Sequence, residues 1–303
     1  MSAAQGGPAR VGVVVVHFGD PAPTEACVRA LEADASRCAR RVLVVDNSGN
    51  LEQGAGMPAE IVRKGDNPGF GAAVNAGIER LGPGPWDALV ALNNDIEVVS
   101  GYLDAAVAGL RNPVVAIAAG PLFPDEPGGT LWYAGGSVNW IFGTVRQATT
   151  RRAAGRERSV GFVPGAAFAA SPAAWRQVGG FDPSYFLYNE DVDLCLRLRR
   201  RGWRLLYTPA MAAVHRLGAV TGSAARSPFY LEHMAATRLR PFRPLAYRLY
   251  LAVVHSGYAL IRAAMYRLLM RGEAGAAAAA AILRGHRRAL AGLAESPLAE
   301  RHT

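Results

Sequence analysis

Short β-branched apolar runs alternate with stretches of helical period along the first hundred residues. Val11–Val16 is one such run, ended by His17-Phe18-Gly19-Asp20, and a helical pattern follows from about Thr24 to Cys38. Val42–Val45 is a second run, ended by Asp46-Asn47-Ser48-Gly49. Ile61-Val62 is a third, before Asp66-Asn67-Pro68-Gly69-Phe70-Gly71 and a helix from Ala72 to Arg80. Ala88–Leu92 is the fourth, closed by Asn93-Asn94-Asp95. Runs that are apolar throughout, rather than alternating, predict strands covered on both faces. The pattern therefore predicts an α/β fold with a mostly parallel central sheet.

The next hundred residues keep the same materials in a looser order. A strand is expected near Val114–Ala118, and Gly161–Phe168 reads as a strand entering a helix that Ser171-Pro172 would start. Between them lie a stretch rich in Gly and aromatics, Leu131–Phe142, and a basic patch of Arg151, Arg152, Arg156 and Arg158 that reads as a solvated loop. Gly179-Gly180-Phe181-Asp182-Pro183 is a turn. Asn189-Glu190-Asp191-Val192-Asp193 then opens a helix: Asn189 is the expected cap, the acids favour its positive end, Arg197–Arg201 its negative end, and Gly202 closes it. Leu205–Tyr207 and Met211–Val214 read as short strands, the second ending at His215.

Charge divides the chain. The net charge is +9, yet from Arg226 onward 12 Arg face only 4 Glu, which leaves the first 225 residues close to neutral. A near-neutral body argues against a nucleic-acid partner, and a basic tail rich in Leu and Tyr suits an anionic membrane face. Within that tail Arg248, His255 and Arg262 recur every seven residues and predict one exposed polar stripe, with Leu249, Ala252, Val253, Leu260 and Ala263 or Ala264 facing elsewhere. An interfacial helix is expected ahead of a plain helical cap or a dimer contact. No apolar run is long enough to span a bilayer, and Met1–Arg10 lacks the apolar core of a secretion signal. Cys27, Cys38 and Cys195 show neither metal-ligand spacing nor a disulfide framework, so a cytoplasmic setting is the expectation.

The polar motifs fall where an α/β sheet places ligands, at the carboxyl ends of strands: His17, Asp46, Asp66-Asn67 and Asn93-Asn94-Asp95. Asp, Asn and Gly also make ordinary turns, and it is the coincidence of four ends that predicts one cleft. Asp46 suits the hydrogen bonding of a base or ribose. Asp95 is a hard oxygen ligand for a divalent cation shared with a diphosphate, to which His215 could add a nitrogen. Gly69-Phe70-Gly71 is a helix-entry turn able to approach a phosphate. Asp191, near a helix start that favours its ionised form, could accept a proton from an acceptor hydroxyl.

In order, Val44-Val45-Asp46-Asn47-Ser48, Asp66-Asn67-Pro68-Gly69-Phe70-Gly71 with Asn75, Leu92-Asn93-Asn94-Asp95, Gly179-Gly180-Phe181-Asp182, Asn189–Leu194 and His215 resemble the family 2 glycosyltransferases, particularly their bacterial rhamnosyltransferase-like branch. The likeness covers roughly residues 11–222, and the tail around Leu283-Arg284-Gly285 is similar to helical extensions of that branch. It implies a GT-A fold, a nucleotide-sugar donor, Mg2+ or Mn2+, and inversion at the anomeric carbon. By position it implies Asp191 as general base, Asp95 and His215 as metal ligands, and His17, Asp46, Asn67, Gly69, Gly71, Asn75 and Asn94 as the donor site. Tyr188, Glu190 and Gly165 would line the acceptor side. Asn93 departs from the Asp that often opens the family's metal motif, so metal is expected to bind well only together with the donor.

The expected organisation is a disordered N-terminus over 1–10, a glycosyltransferase domain over 11–225 (nucleotide-binding half 11–100, acceptor and catalytic half 101–225) and a basic helical extension over 226–303. The expected activity is transfer of a sugar, by analogy L-rhamnose from dTDP-rhamnose, to a hydroxyl of a lipid-linked or cell-surface polysaccharide at the inner membrane face. A UDP-hexose donor, or a non-catalytic scaffold that binds nucleotide sugar, are the alternatives, and the chain could pair as a homodimer.

Overall fold

The computed structural model describes residues 7–52, 57–216, 227–270 and 272–294. The expectation of disorder over 1–10 falls outside these residues as far as residue 6, and Arg10 already belongs to the first strand. Four parallel strands form one half of the central sheet: β1 (Arg10–His17), β2 (Ala39–Asp46), β3 (Glu60–Arg63) and β4 (Ala88–Asn93). Val11 to Val16 are all buried, as their unbroken apolar character requires of a strand covered on both sides. Helices α1 (Pro21–Glu32) and α2 (Phe70–Leu81) connect these strands. Asp20 caps α1 through Ala22 N–H with Pro21 at its first position, so α1 starts three residues before Thr24. It ends well before Cys38 because Asp34 is drawn elsewhere: its carboxylate accepts from the N–H groups of Gly101, Tyr102 and Leu103, capping α3 (Tyr102–Gly109).

The sheet has eight strands. Beyond β5 (Ile96–Val98), β6 (Val115–Ala119) and β7 (Leu122–Phe123) come the hairpin β8 (Gly136–Asn139) and β9 (Thr144–Gln147), the turn of helix α4 (Arg151–Ala154), β10 (Arg158–Val160), β11 (Ala167–Ala170) and α5 (Pro172–Val178). Helix α6 (Glu190–Arg200), β12 (Arg204–Tyr207) and β13 (Ala213–His215) complete the body. The order is β10-β12-β6-β11-β4-β1-β2-β3, parallel except around β11 and at the β10 edge. A second, three-stranded sheet, β5-β13-β7, stands beside the carboxyl end of β4. Ser171 caps α5 with Pro172 behind it, as the sequence predicts. The basic patch is not wholly a solvated loop: Arg158 donates to the carbonyls of Ala134, Ala153 and Arg156 and stacks on Tyr207, which fastens the β8–β9 region to the sheet.

Three helices follow: α7 (Pro228–Thr237), α8 (Leu245–Leu269) and α9 (Glu273–Ala294). Their packing corrects the expected orientation of α8. Arg248 and His255 are buried and Arg262 is half-buried, whereas Leu249, Val253, Leu260 and Ile261 are exposed, Val253 to 76%. The polar stripe faces α7 and α9 because the Ala-rich α9 offers small side chains that let it approach closely, with Ala278, Ala281 and Ala289 buried. The apolar side of α8 is left outward.

Candidate active site

Parallel pairing sets three polar positions at one edge of the sheet: His17 lies opposite Asp46, and Val16 opposite Asn93. His17 and Asp46 are completely buried. His17 Nδ1 lies 2.6 Å from Thr24 Oγ1 and its Nε2 2.8 Å from Asn50 Oδ1. Asp46 accepts from Ser48, Gly49 and Leu51 N–H at 3.0, 2.7 and 2.9 Å. A carboxylate used in this way fixes the shape of the loop that follows its strand. Asn94 donates to Phe18 O and Thr24 Oγ1, tying the end of β4 to the loop after β1. These residues build the floor of a cleft at the carboxyl end of the sheet.

Asp95 and His215 meet because β13 pairs antiparallel with β5, which puts His215 opposite Ile96 and lets Arg216 N–H donate to the Asp95 carbonyl at 2.9 Å. His215 Nε2 and Asp95 Oδ1 lie 3.2 Å apart, both side chains nearly wholly buried. Asp95 Oδ1 nevertheless makes no hydrogen bond of good geometry, and His215 Nδ1 has no partner. Two adjacent ligand atoms of an octahedral ion, at bonds of about 2.1 Å, lie about 3.0 Å apart. The pair thus has the spacing of two neighbouring ligands of Mg2+ or Mn2+, and Asp95 Oδ1 is left free to bind one. Among the described residues no group of three or more His, Cys, Asp or Glu could hold a metal, so the remaining positions would fall to oxygens of a diphosphate and water. The Trp132 ring stands edge-on to His215 with centroids 5.0 Å apart and fixes the imidazole plane.

The acidic helix start reaches the same edge of the sheet through the segment before β11, where Asn93 N–H donates to the Ala166 carbonyl at 2.8 Å. Tyr188 and Asn189 both adopt left-handed backbone, with φ of 68° and 66°. That conformation turns the Asn189 amide away from the first turn, so it makes no cap: its Nδ2 donates to Thr237 Oγ1 at 2.8 Å, and Thr237 Oγ1 donates to Tyr188 O at 2.9 Å. Asp191 Oδ1 accepts from Val192 N–H at 2.8 Å and Oδ2 from Gly165 N–H at 3.1 Å. Burial pushes the Asp191 carboxyl up to about 6 against these two hydrogen bonds. Glu190 is buried with Oε2 unpartnered, and burial followed by the Asp191 charge pushes it up to about 8. Burial thus raises both adjacent carboxyls, and the charge of one favours the proton on the other. Asp193 is tied to Arg197 at 2.6 Å, with the guanidinium also reaching Val178 O and Gly180 O, a packing role.

The start of α2 closes the gap between the two sides. Gly69 has φ of 92°, and a Cβ there would run into the Phe186 carbonyl oxygen, so only glycine lets α2 approach the segment before Tyr188. A Cβ at Gly71 would meet the Phe181 ring. Both ends of the Asn75 amide hold Phe181, Nδ2 donating to its carbonyl at 2.8 Å and Oδ1 accepting its N–H at 2.9 Å. Asn75 thus acts on the cleft through the 179–182 turn. Asn67 Oδ1 accepts from Asn47 Nδ2 at 3.3 Å, and Asn47 Oδ1 is buried without a partner. Gly165 faces both Phe70 and Asp191. Asn47, Trp132 and Phe186 lie outside the expected site set. Asn47 stood inside a motif at a strand end, whereas no periodicity marks the two aromatics.

Buried Asp and Asn at parallel strand ends and a His–Asp pair with metal spacing stand on a mixed α/β body with a large, mainly parallel sheet, the framework of GT-A glycosyltransferases. The chain belongs to the glycosyltransferase family 2: the family model "Glycosyltransferase like family 2" matches residues 8–240. It is 32% identical over 217 residues to the N-acetylglucosaminyl-diphospho-decaprenol L-rhamnosyltransferase of Mycobacterium tuberculosis, covering 64% of this chain and 67% of that one. It is 26% identical to rhamnosyltransferase WbbL of Escherichia coli, over 68% of this chain and 83% of the relative. Among solved structures, the mannosyltransferase PcManGT of Pyrobaculum calidifontis, in complex with GDP-Man and Mn2+, superposes with a TM-score of 0.56 at 15% identity, covering 93% of this chain and 87% of that one. GalNAc-T7 with UDP, GalNAc and Mn2+ gives 0.57 at 16% identity over 77% of this chain, which spans about half (51%) of its length. The structural likeness is one of fold.

Proposed function

We propose that this chain is an inverting glycosyltransferase that moves L-rhamnose from dTDP-rhamnose onto a hydroxyl of a lipid-linked saccharide. The observation that carries the reaction type is Asp191: a half-buried carboxylate held by Gly165 N–H, on the sheet edge that also leads to the Asp95–His215 pair. In a single displacement the acceptor oxygen bonds to the anomeric carbon from the face opposite the diphosphate. The bond from that carbon to the diphosphate oxygen breaks, and the acceptor proton passes to Asp191. Asp95 and His215 would hold Mg2+ or Mn2+, which when bound offsets charge on the leaving diphosphate. Asp46 and His17 hold the loops after their strands in shape, and the unpartnered Asn47 Oδ1 beside them is an acceptor for the nucleotide. Protonated Glu190 can donate to an acceptor oxygen beside Tyr188.

The rhamnosyl donor and lipid-linked acceptor rest on the names of the two sequence relatives, and a UDP-hexose is the competing donor. Thermal shifts with dTDP-rhamnose, UDP-glucose and UDP-galactose in the presence of Mn2+ separate them, since a ligand of the folded state raises Tm. Asp191→Asn should cut kcat roughly 100- to 10,000-fold and leave donor affinity within about threefold. Undiminished turnover would remove Asp191 from the mechanism, and a non-catalytic scaffold would show no turnover in either form.

Helix α8 supports a peripheral membrane location. No helix among the described residues is long and apolar enough to cross a membrane. Leu249, Tyr250, Val253, Leu260, Ile261 and Leu268 nonetheless face outward on a helix that carries no acid between Leu245 and Leu269. An apolar face of this length on a basic segment suits a peripheral contact with the anionic inner leaflet, and a second copy of the chain is the competing occupant.

A further inference from the structure

The turned-in stripe of α8 creates a basic pocket. Arg238, His255, Tyr258, Arg262 and His286, with Ile282 behind them, line a cavity of about 20 Å3 between α7, α8 and α9. The Arg238 and Arg262 guanidinium carbons lie 5.1 and 5.4 Å from the centre of the same Tyr258 ring. Two cations at one ring repel each other, and among the described residues neither forms an ion pair with a carboxylate. Glu232, the acid of α7, is taken by Arg284 and Arg288 at 2.9 and 2.8 Å. His255 is 4% exposed, and its ring has only a loose backbone contact at Phe142, with no hydrogen bond of good geometry. His286 Nε2 lies 2.8 Å from Ser256 Oγ, which orients its ring at the same cavity.

A buried, poorly satisfied imidazole beside two guanidiniums that lack a carboxylate is costly unless something anionic completes it. Burial and the Arg238 charge hold His255 down to about 4, so the ring is neutral and can donate one N–H while the arginines supply the charge. A cavity of this volume admits one water-sized atom. An ion that enters end-on, with one oxygen inside and the others at the mouth beside Arg262, fits better than a buried molecule.

We propose that this pocket is a phosphoryl-binding site, separate from the sugar-nucleotide cleft, that takes one oxygen of a phosphate group. The group is free phosphate or the headgroup of a lipid. The proposal stands without the transfer reaction, since none of its residues belongs to the cleft of Asp95 and Asp191.

The test uses the full chain, with Arg238→Gln and Arg262→Gln checked for an unchanged far-ultraviolet spectrum and unchanged donor binding. Inorganic phosphate, against sodium chloride at equal ionic strength, should raise Tm by about 2–4 °C in the parent chain, and the rise should fall at least by half in Arg262→Gln. Where the source is lipid, free phosphate gives little. Vesicles containing dioleoylphosphatidic acid then bind at least threefold better than vesicles of equal charge made with oleic acid, and Arg262→Gln loses that preference. Absence of both responses overturns the proposal. Responses of full size in both variants overturn it as well, since the phosphate then binds elsewhere.

Discussion

Replacing Glu190 by Gln isolates the energetic cost of the buried acid pair. Burial, and then the Asp191 charge, push the Glu190 carboxyl up from the ordinary 4.5 to about 8. A folded carboxyl that holds its proton more tightly than the unfolded one contributes stability that is complete below pH 4.5 and is lost as pH rises towards 8. At about 1.4 kcal/mol per tenfold step in proton affinity, the whole loss approaches 5 kcal/mol, and sharing the titration with Asp191 reduces the expectation to roughly 2–5 kcal/mol. Gln keeps the shape and cannot ionise, so Glu190→Gln should match the parent chain near pH 5 and exceed it by that amount at pH 9. Urea unfolding followed by tryptophan fluorescence at the two pH values measures it. A stability difference that is equal at both pH values, or a loss at pH 9, would show that Glu190 is not the group forced to carry charge in the interior.

Other outcomes follow from the same geometry. His215→Ala should lower Mn2+-dependent donor affinity roughly tenfold or more by calorimetry, with metal-free donor binding little changed. Gly69→Ala combines a left-handed φ with a collision on the Phe186 carbonyl, and should cost roughly 2–5 kcal/mol of stability by thermal or urea unfolding. Leu260→Asp with Ile261→Asp should abolish pelleting with anionic vesicles at low salt while the activity on a soluble acceptor stays within about twofold. Unchanged pelleting would turn attention to a second copy as the occupant of that face.

The strand ends were readable because parallel strands covered on both sides have a signature of their own. Val11–Val16, Val42–Val45 and Ala88–Leu92 could hardly be anything else, and the residues after them had to share one edge. The Asp95–His215 pair was readable by family order, yet what joins it is the three-residue pairing of β5 with β13, too short to announce itself. Asn189 looked like a cap because Asn before three acids usually is one. Its left-handed backbone, invisible in composition, sends the amide to α7 instead. The α8 stripe was misread for a related reason: polar residues at heptad spacing mark a face but not which way it points. The small residues of α9, twenty positions further on, decided that.

The bond chain from Asn189 through Thr237 to the Tyr188 carbonyl has a consequence for where this molecule can be divided. The residues of the cleft all precede 226, and a chain ended there would contain each of them. It would lack Thr237, and the two left-handed residues that aim Asp191 would lose the hydroxyl that holds them. The smallest self-sufficient catalyst therefore reaches at least to the end of α7, near the residue 240 where the family match also stops. Helix α7 thus acts as a handle on the start of α6, through which a displacement of the C-terminal helices is felt at Asp191.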